Sequence, residues 1–426
     1  MAIFWTQKQD IGASARMSPA LAYDALHDRV VVFGGDPGGA PLADTWQWDG
    51  KLWTQIADTG PSARHSASMA YDPQTQRIVL FGGASGPDLL ADTWAWDGAE
   101  WTQVADTGPL ARAGHAMAYS SALTRVVLFG GAGTAALRSD TWHWDGSEWT
   151  QVQDVGPTAR RGHAMAYDAT AQRVFLFGGA GSTGSGQDDT WAWDGATWTQ
   201  IADTGPDPRV ASALVADGGL VLFGGINSVD PALPPASRVT YGDTWRWVTD
   251  GWTKVQDIGP APRWGHGMAY RSQAGKVMLF GGSTVFAAAQ DATLGPGLLL
   301  DTWELPLVVA QPNEPPPTGV DVAMIEVMPN SVSAMGEVLQ VTVTLTGPAP
   351  VDVDLVAAIF VDDGTGQFQP AQPPGFDMPS PIAVMAGTSQ TQFQIVRNGD
   401  PLSAGTYAIG VGVQGGPMQG GFFTVA

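Results

Sequence analysis

The chain has 426 residues, no cysteine, and 41 acidic against 20 basic side chains, a formal net charge of −21. Without cysteine there are no disulfides, no thiolate metal sites and no cysteine nucleophiles. The acidity argues against nucleic acid and anionic membrane surfaces as partners, and no apolar run reaches the roughly 18 residues of a spanning helix. Residues Met1 to Gln7 lack the basic-then-apolar layout of a signal peptide, so the expectation is a chain not exported by that route, or a mature form.

In chain order, Phe-Gly-Gly begins at Phe33, Phe81, Phe129, Phe177, Phe223 and Phe280, at spacings of 46 to 57 residues. Each copy is followed by Asp-Thr-Trp, at Asp44, Asp92, Asp140, Asp189, Asp243 and Asp301. A period near 50 marks a repeat architecture. One unit shows its parts. Residues 77–81 form a short apolar run closed by Gly82-Gly83, which suits a buried strand. Residues 92–96 alternate with aromatics on one face, Asp97-Gly98 supplies a hairpin turn, and 100–104 return. Residues 114–119 open the next unit. Four short strands per unit, without helical periodicity, predict a blade, and blades set radially protect their edges.

The paired glycines, the aromatics downstream and the period resemble the kelch family of β-propellers, over about residues 3–309. The resemblance implies an all-β fold with a six-bladed propeller. The last unit stops after Asp301-Thr302-Trp303-Glu304-Leu305, and its missing strand matches Phe4-Trp5-Thr6-Gln7. The N-terminus is therefore expected to complete the last blade. The expected domains are the propeller (1–310), a Pro-rich linker (311–319) and an immunoglobulin-like β-sandwich (320–426). The sandwich rests on seven alternating apolar segments, at 320–327, 338–346, 351–361, 382–386, 391–396, 406–414 and 421–425.

Gly-Pro-x-(Ala/Pro)-Arg recurs at Arg64, Arg112, Arg160, Arg209 and Arg263, with Arg16 in a degenerate copy. An element present once per blade reads as architecture, an Arg braced against the repeated Asp, rather than as an anion site. His115, His163 and His266 follow three residues later. Their sister positions hold Ala67, Ser212 and Pro19, so they read as buried structural histidines and not as metal ligands. No metal and no cofactor is expected. Copper-radical chemistry of the galactose-oxidase kind is excluded with its cysteine, and neither a Gly-x-Ser-x-Gly elbow nor a phosphate loop occurs.

The kelch resemblance implies a binding mouth built from loops after the double glycine and before the inner strand. The first set here includes Asp36, Asn227 and Thr284, and the second His65, Arg161 and Trp264. Loops 226–242 and 283–300 are far longer than the eight or nine residues of the others, and Trp264 is the one tryptophan of 18 outside the repeat's strand positions. Long insertions on one face mark a binding face. These six residues are the expected partner contacts. The expected function is a non-catalytic binder or scaffold for a protein or glycan surface, without nucleic acid or membrane insertion. Two alternatives stand beside it: a sugar-handling propeller enzyme of mutarotase or lyase type, and an accessory or receptor-binding protein of a phage particle or secreted assembly.

Overall fold

The computed structural model describes residues 5–306, apart from 10, 154, 249–250, 257–258 and 286–296, and beyond them the strands of a C-terminal unit. The linker read at 311–319, and the middle of the loop 283–300, lie outside the described residues. Two compact units divide the chain, one of residues 4–309 and one of 310–426 together with 1–3.

Residues 5–306 build six four-stranded antiparallel sheets, the blades of a propeller, numbered here by their Phe-Gly-Gly in chain order. Blade 2 is typical. Its strands are Ser68–Asp72, Arg77–Phe81, Thr93–Trp96 and Trp101–Ala105, from the axis outward. The second strand is the most buried, since both its faces meet a neighbouring blade; Ile78, Leu80 and Phe81 are fully buried. The cores lie in the seams between blades. In the seam of blades 1 and 2, Ala20, Ala22, Val31 and Phe33 meet Met69, Ile78, Leu80, Trp96 and Trp101. Similar clusters fill the seams of blades 2 and 3, 3 and 4, 4 and 5, and 6 and 1.

The repeated residues are the fasteners of these seams. The double glycine is one. Gly82 and Gly83 have φ of 61° and 102°, open to glycine at little cost. A Cβ on Gly82 would fall 2.8 Å from the carbonyl oxygen of Arg112 in the next blade. That approach lets the Gly83 N–H donate to Arg112 O at 2.9 Å. The same bond recurs at every junction, ending with Gly282 N–H to Arg16 O at 2.9 Å. The outer-strand tryptophan is a second fastener. Trp101 donates from Nε1 to Thr45 Oγ1 of the preceding blade at 2.9 Å and sets its ring edge-on to Phe33.

Ring closure follows the same plan. Thr6–Gln9 pairs antiparallel with Thr302–Pro306 as the outer strand of blade 6. Trp5 donates to Thr244 Oγ1 at 3.0 Å and lies 5.3 Å from Phe223, the geometry of Trp101 against blade 1. The N-terminus therefore supplies the last strand, and blade 6 has the same four strands as the others.

In the C-terminal unit one sheet orders Val322–Met328, Val338–Leu345, Gln390–Arg397 and Phe376–Asp377. A second orders Ser331–Val332, Gln419–Val425, Gly405–Val413, Val353–Asp362 and Phe368–Pro370, and Ile382–Val384 also pairs with Val353–Asp362.

Candidate functional site

The arginines are not available to a ligand. Arg64 is buried. Its Nη1 and Nη2 donate to Asp92 Oδ1 and Oδ2 at 2.6 and 2.8 Å, Nη1 also to Gly82 O, and Nε to Ser62 O. Asp92 Oδ2 in turn accepts from Trp94 Nε1 at 2.7 Å. All six arginine–aspartate pairs repeat this bidentate bond. Burial works to raise the Asp92 carboxyl, but the bonds from Arg64 and Trp94 outweigh it and hold the group below its ordinary range. The Arg side chain clamps its own blade while its backbone holds the previous one, which is the bracing the repeat implied.

The histidines lie in separate seams. His115 is edge-on to Phe81, His163 to Phe129 and His266 to Phe223, each across a blade junction. Burial, reinforced by the arginine three residues earlier, pushes each imidazole down to about 3. The carbonyl of the preceding Phe counters this slightly without a well-aligned hydrogen bond. These rings are neutral when folded, whereas in the unfolded chain they take a proton near 6.5. The stability they contribute is complete above pH 6.5 and is lost as pH falls toward 3, because the unfolded state then binds more protons. The paired aspartates act mainly below 3.8; above it the three seam histidines act together with His143, which burial lowers to about 4, and with His65, while Asp217, raised by burial, opposes them. Replacing all three histidines by alanine, the residue of blade 2 at this position (Ala67), flattens the fall in unfolding free energy between pH 6.5 and 3.8. An unchanged slope in denaturant titrations counts against the assignment.

One residue of each blade, just inside the arginine, forms a collar around the axis. Ser66 N–H donates to Ser18 O, Gly114 to Ser66, Gly162 to Gly114, Ala211 to Gly162, Gly265 to Ala211, and Ser18 back to Gly265, at 2.6 to 2.9 Å. All six residues are left-handed, with φ between 51° and 66°. The collar is a closed ring of hydrogen bonds at the mouth of the central channel.

A cavity of about 480 Å³ opens at this collar. Leu21, Met69, Met117, Met165 and Leu214 contribute apolar wall, with hydroxyls from Ser18, Ser66, Ser68 and Ser212. Its rim is uneven: blades 4, 5 and 6 add Arg161, Val229 and Trp264. Loop 226–242 folds against the blade 4 loop, through Gly186 N–H to Asn227 O and Val229 N–H to Gly184 O. This brings Val229 and Trp264 onto the cluster of Ala180, Val210 and Ile226. Trp264 also donates from Nε1 to Val285 O at 3.2 Å, so it ties one long loop to the other.

Of the six residues expected to meet a partner, Arg161 and Trp264 line this cavity. The other four are not among its lining residues, and each makes a hydrogen bond within its own loop region. Asp36 Oδ1 accepts from Gly38 and Gly39 in its own turn. His65 shares a hydrogen bond with Ser66 Oγ, and burial lowers its imidazole, opposed in part by Asp36. Asn227 staples its loop, accepting from Val239 N–H and donating to Ser237 O. Thr284 donates to Gly297 O at the neck of the last long loop. Sequence reading missed Val229, an ordinary apolar residue in a polar loop, and the collar.

The six blades and the channel mouth define a kelch-type β-propeller. The chain belongs to the Attractin/LZTR1 β-propeller family, whose model matches residues 30–247. The solved structure of YjhT shares the fold, with a TM-score of 0.54, 16% identity, and coverage of 68% of this chain and 95% of that one. No curated protein matches the chain. Among the described residues no helix is long and apolar enough to cross a membrane, and no His, Asp or Glu cluster could hold a metal ion.

Proposed function

We propose that this chain is a non-catalytic binding protein that presents the collar face of its propeller to a protein or glycan partner, with an immunoglobulin-like C-terminal unit as spacer or anchor. The observation that carries the reading is the uneven rim. Blades 4, 5 and 6 place Arg161, Val229 and Trp264 on the lining of one cavity, the last two beside the long loops that break the repeat. Arg and Trp are the side chains that most often dominate binding energy. A sugar-handling enzyme would need a general acid and base within reach of one another. The described lining carries no carboxylate, and its three histidines are almost fully buried in separate seams, each edge-on to a phenylalanine of the neighbouring blade. Nothing described favours the particle-accessory reading over other settings for a binder.

Glycan and peptide arrays probed with the full chain test this. Binders are expected to lose affinity when loops 226–242 and 283–300 are both shortened to eight residues, the propeller staying folded. Full affinity in the shortened protein moves the site to the opposite face or the C-terminal unit. Turnover of a sugar by the wild type would return the enzyme reading.

A further inference from the structure

The cavity at the collar carries a single formal charge. Of its lining residues Arg161 is the one ionised side chain, and no acid is among them, in a chain with 41 acids and 20 bases. Its guanidinium is exposed, and no described side chain pairs with it. The six arginines of the repeat, by contrast, are buried against aspartate. An arginine held on the rim of an otherwise uncharged pocket is a vacant half of an ion pair.

Resting on the reading that this mouth is the binding face, we propose that it takes a small organic carboxylate with an apolar body. The acid group bridges the two Nη atoms of Arg161, and the body lies against Val229, Trp264 and the Met69–Met117–Met165 wall. The guanidinium fork matches a carboxylate in planar, bidentate fashion. The collar decides against phosphate. Phosphate sites draw on several free backbone N–H groups or more than one cation, and here all six collar N–H groups are spent on one another. Ser212 Oγ is buried on the lining with no described partner and can serve as a further polar contact. The volume of about 480 Å³ suits a ligand of one ring and a short chain.

The test uses the full chain with 13C-methyl methionine, because Met69, Met117 and Met165 line the cavity and report occupancy directly. 3-Phenylpropanoate, its neutral amide, inorganic phosphate and a terminally blocked peptide containing glutamate are titrated in parallel. The phenylpropanoate should shift those methyl signals, with the amide weaker by about tenfold, as expected for a charge-assisted hydrogen bond. In Arg161→Gln the two should bind alike, with the unfolding temperature unchanged because the side chain is exposed and unpaired. Equal binding of acid and amide to the wild type, or tighter binding of phosphate, overturns the carboxylate assignment and leaves the mouth as the binding face. Arg161-dependent shifts from the peptide alone overturn the small-acid assignment in favour of a protein acid. If no probe moves any of these signals, the carboxylate assignment is overturned, and the loop-shortened protein decides separately whether the mouth is the binding face.

Discussion

Deleting residues 1–8 costs the propeller more than about 4 kcal/mol and turns a monodisperse protein into an aggregating one. Trp5 alone accounts for much of this, because removing a buried tryptophan side chain costs about 3–5 kcal/mol. It is 7% exposed, bonded to Thr244 and set against Phe223. The rest comes from the strand. Without Thr6 and Gln7, the strand Thr302–Pro306 loses its partners at Glu304 and Trp303 and offers a longer edge as a template for pairing with another chain. Thermal unfolding and size-exclusion chromatography read the two effects separately. Trp5→Ala should fall between wild type and deletion in unfolding temperature, with little aggregation because the strand remains. A deletion variant that melts with the wild type and stays monodisperse would refute closure by the N-terminus.

The second large effect is Arg112→Ala, expected to cost about 3–5 kcal/mol, the range for breaking a buried ion pair by removing one partner. Arg112 is fully buried and donates to both oxygens of Asp140, to Gly130 O and to Leu110 O. Removing it strands those acceptors inside the seam. Asp140, held below its ordinary range by Arg112 and Trp142 against the pull of burial, keeps only the indole bond. Arg112→Lys should recover part of the loss at most, since an ammonium cannot span both carboxylate oxygens and two carbonyls. Urea unfolding measures the difference. A loss under about 1 kcal/mol, the scale of a surface pair, would mean that the arginines decorate the seams rather than hold them.

What the sequence revealed and what it hid divide along physical lines. The double glycines were legible because a positive φ, and a neighbour's carbonyl too close for any Cβ, both demand glycine, so the need is written in the residue type. Closure was legible because the last unit lacked a strand whose Trp-Thr-Gln pattern stood at the other end of the chain. The collar was not. Ser18, Ser66 and Ala211 hold φ of 51° to 54° with no glycine to announce it, because the conformation is imposed by the ring of bonds and not by the side chain. Asn227 and Thr284 were read as partner contacts because they are polar residues of long loops. A long loop must first find partners for its own backbone, and their side chains serve that need.

The collar also separates what the mouth recognises from what keeps the propeller folded. Its peptide dipoles run head to tail around a circle, so their components in the plane of the ring cancel, unlike the aligned peptides of a helix end. The collar spends its own N–H groups on itself, so side chains, with Arg161 as the charged one, supply what the cavity can offer a ligand. The position between each arginine and its collar residue holds Met17, His65, Ala113, Arg161, Val210 and Trp264, six different side chains between an invariant clamp and a small left-handed residue. The backbone there already satisfies its hydrogen bonds whatever the side chain is. Such a scaffold can exchange one ligand preference for another by substitution at the members of this set that are not buried, Arg161 first, without reopening the question of how it folds, while Val210, buried against Ala180 and Ile226, belongs to the fold.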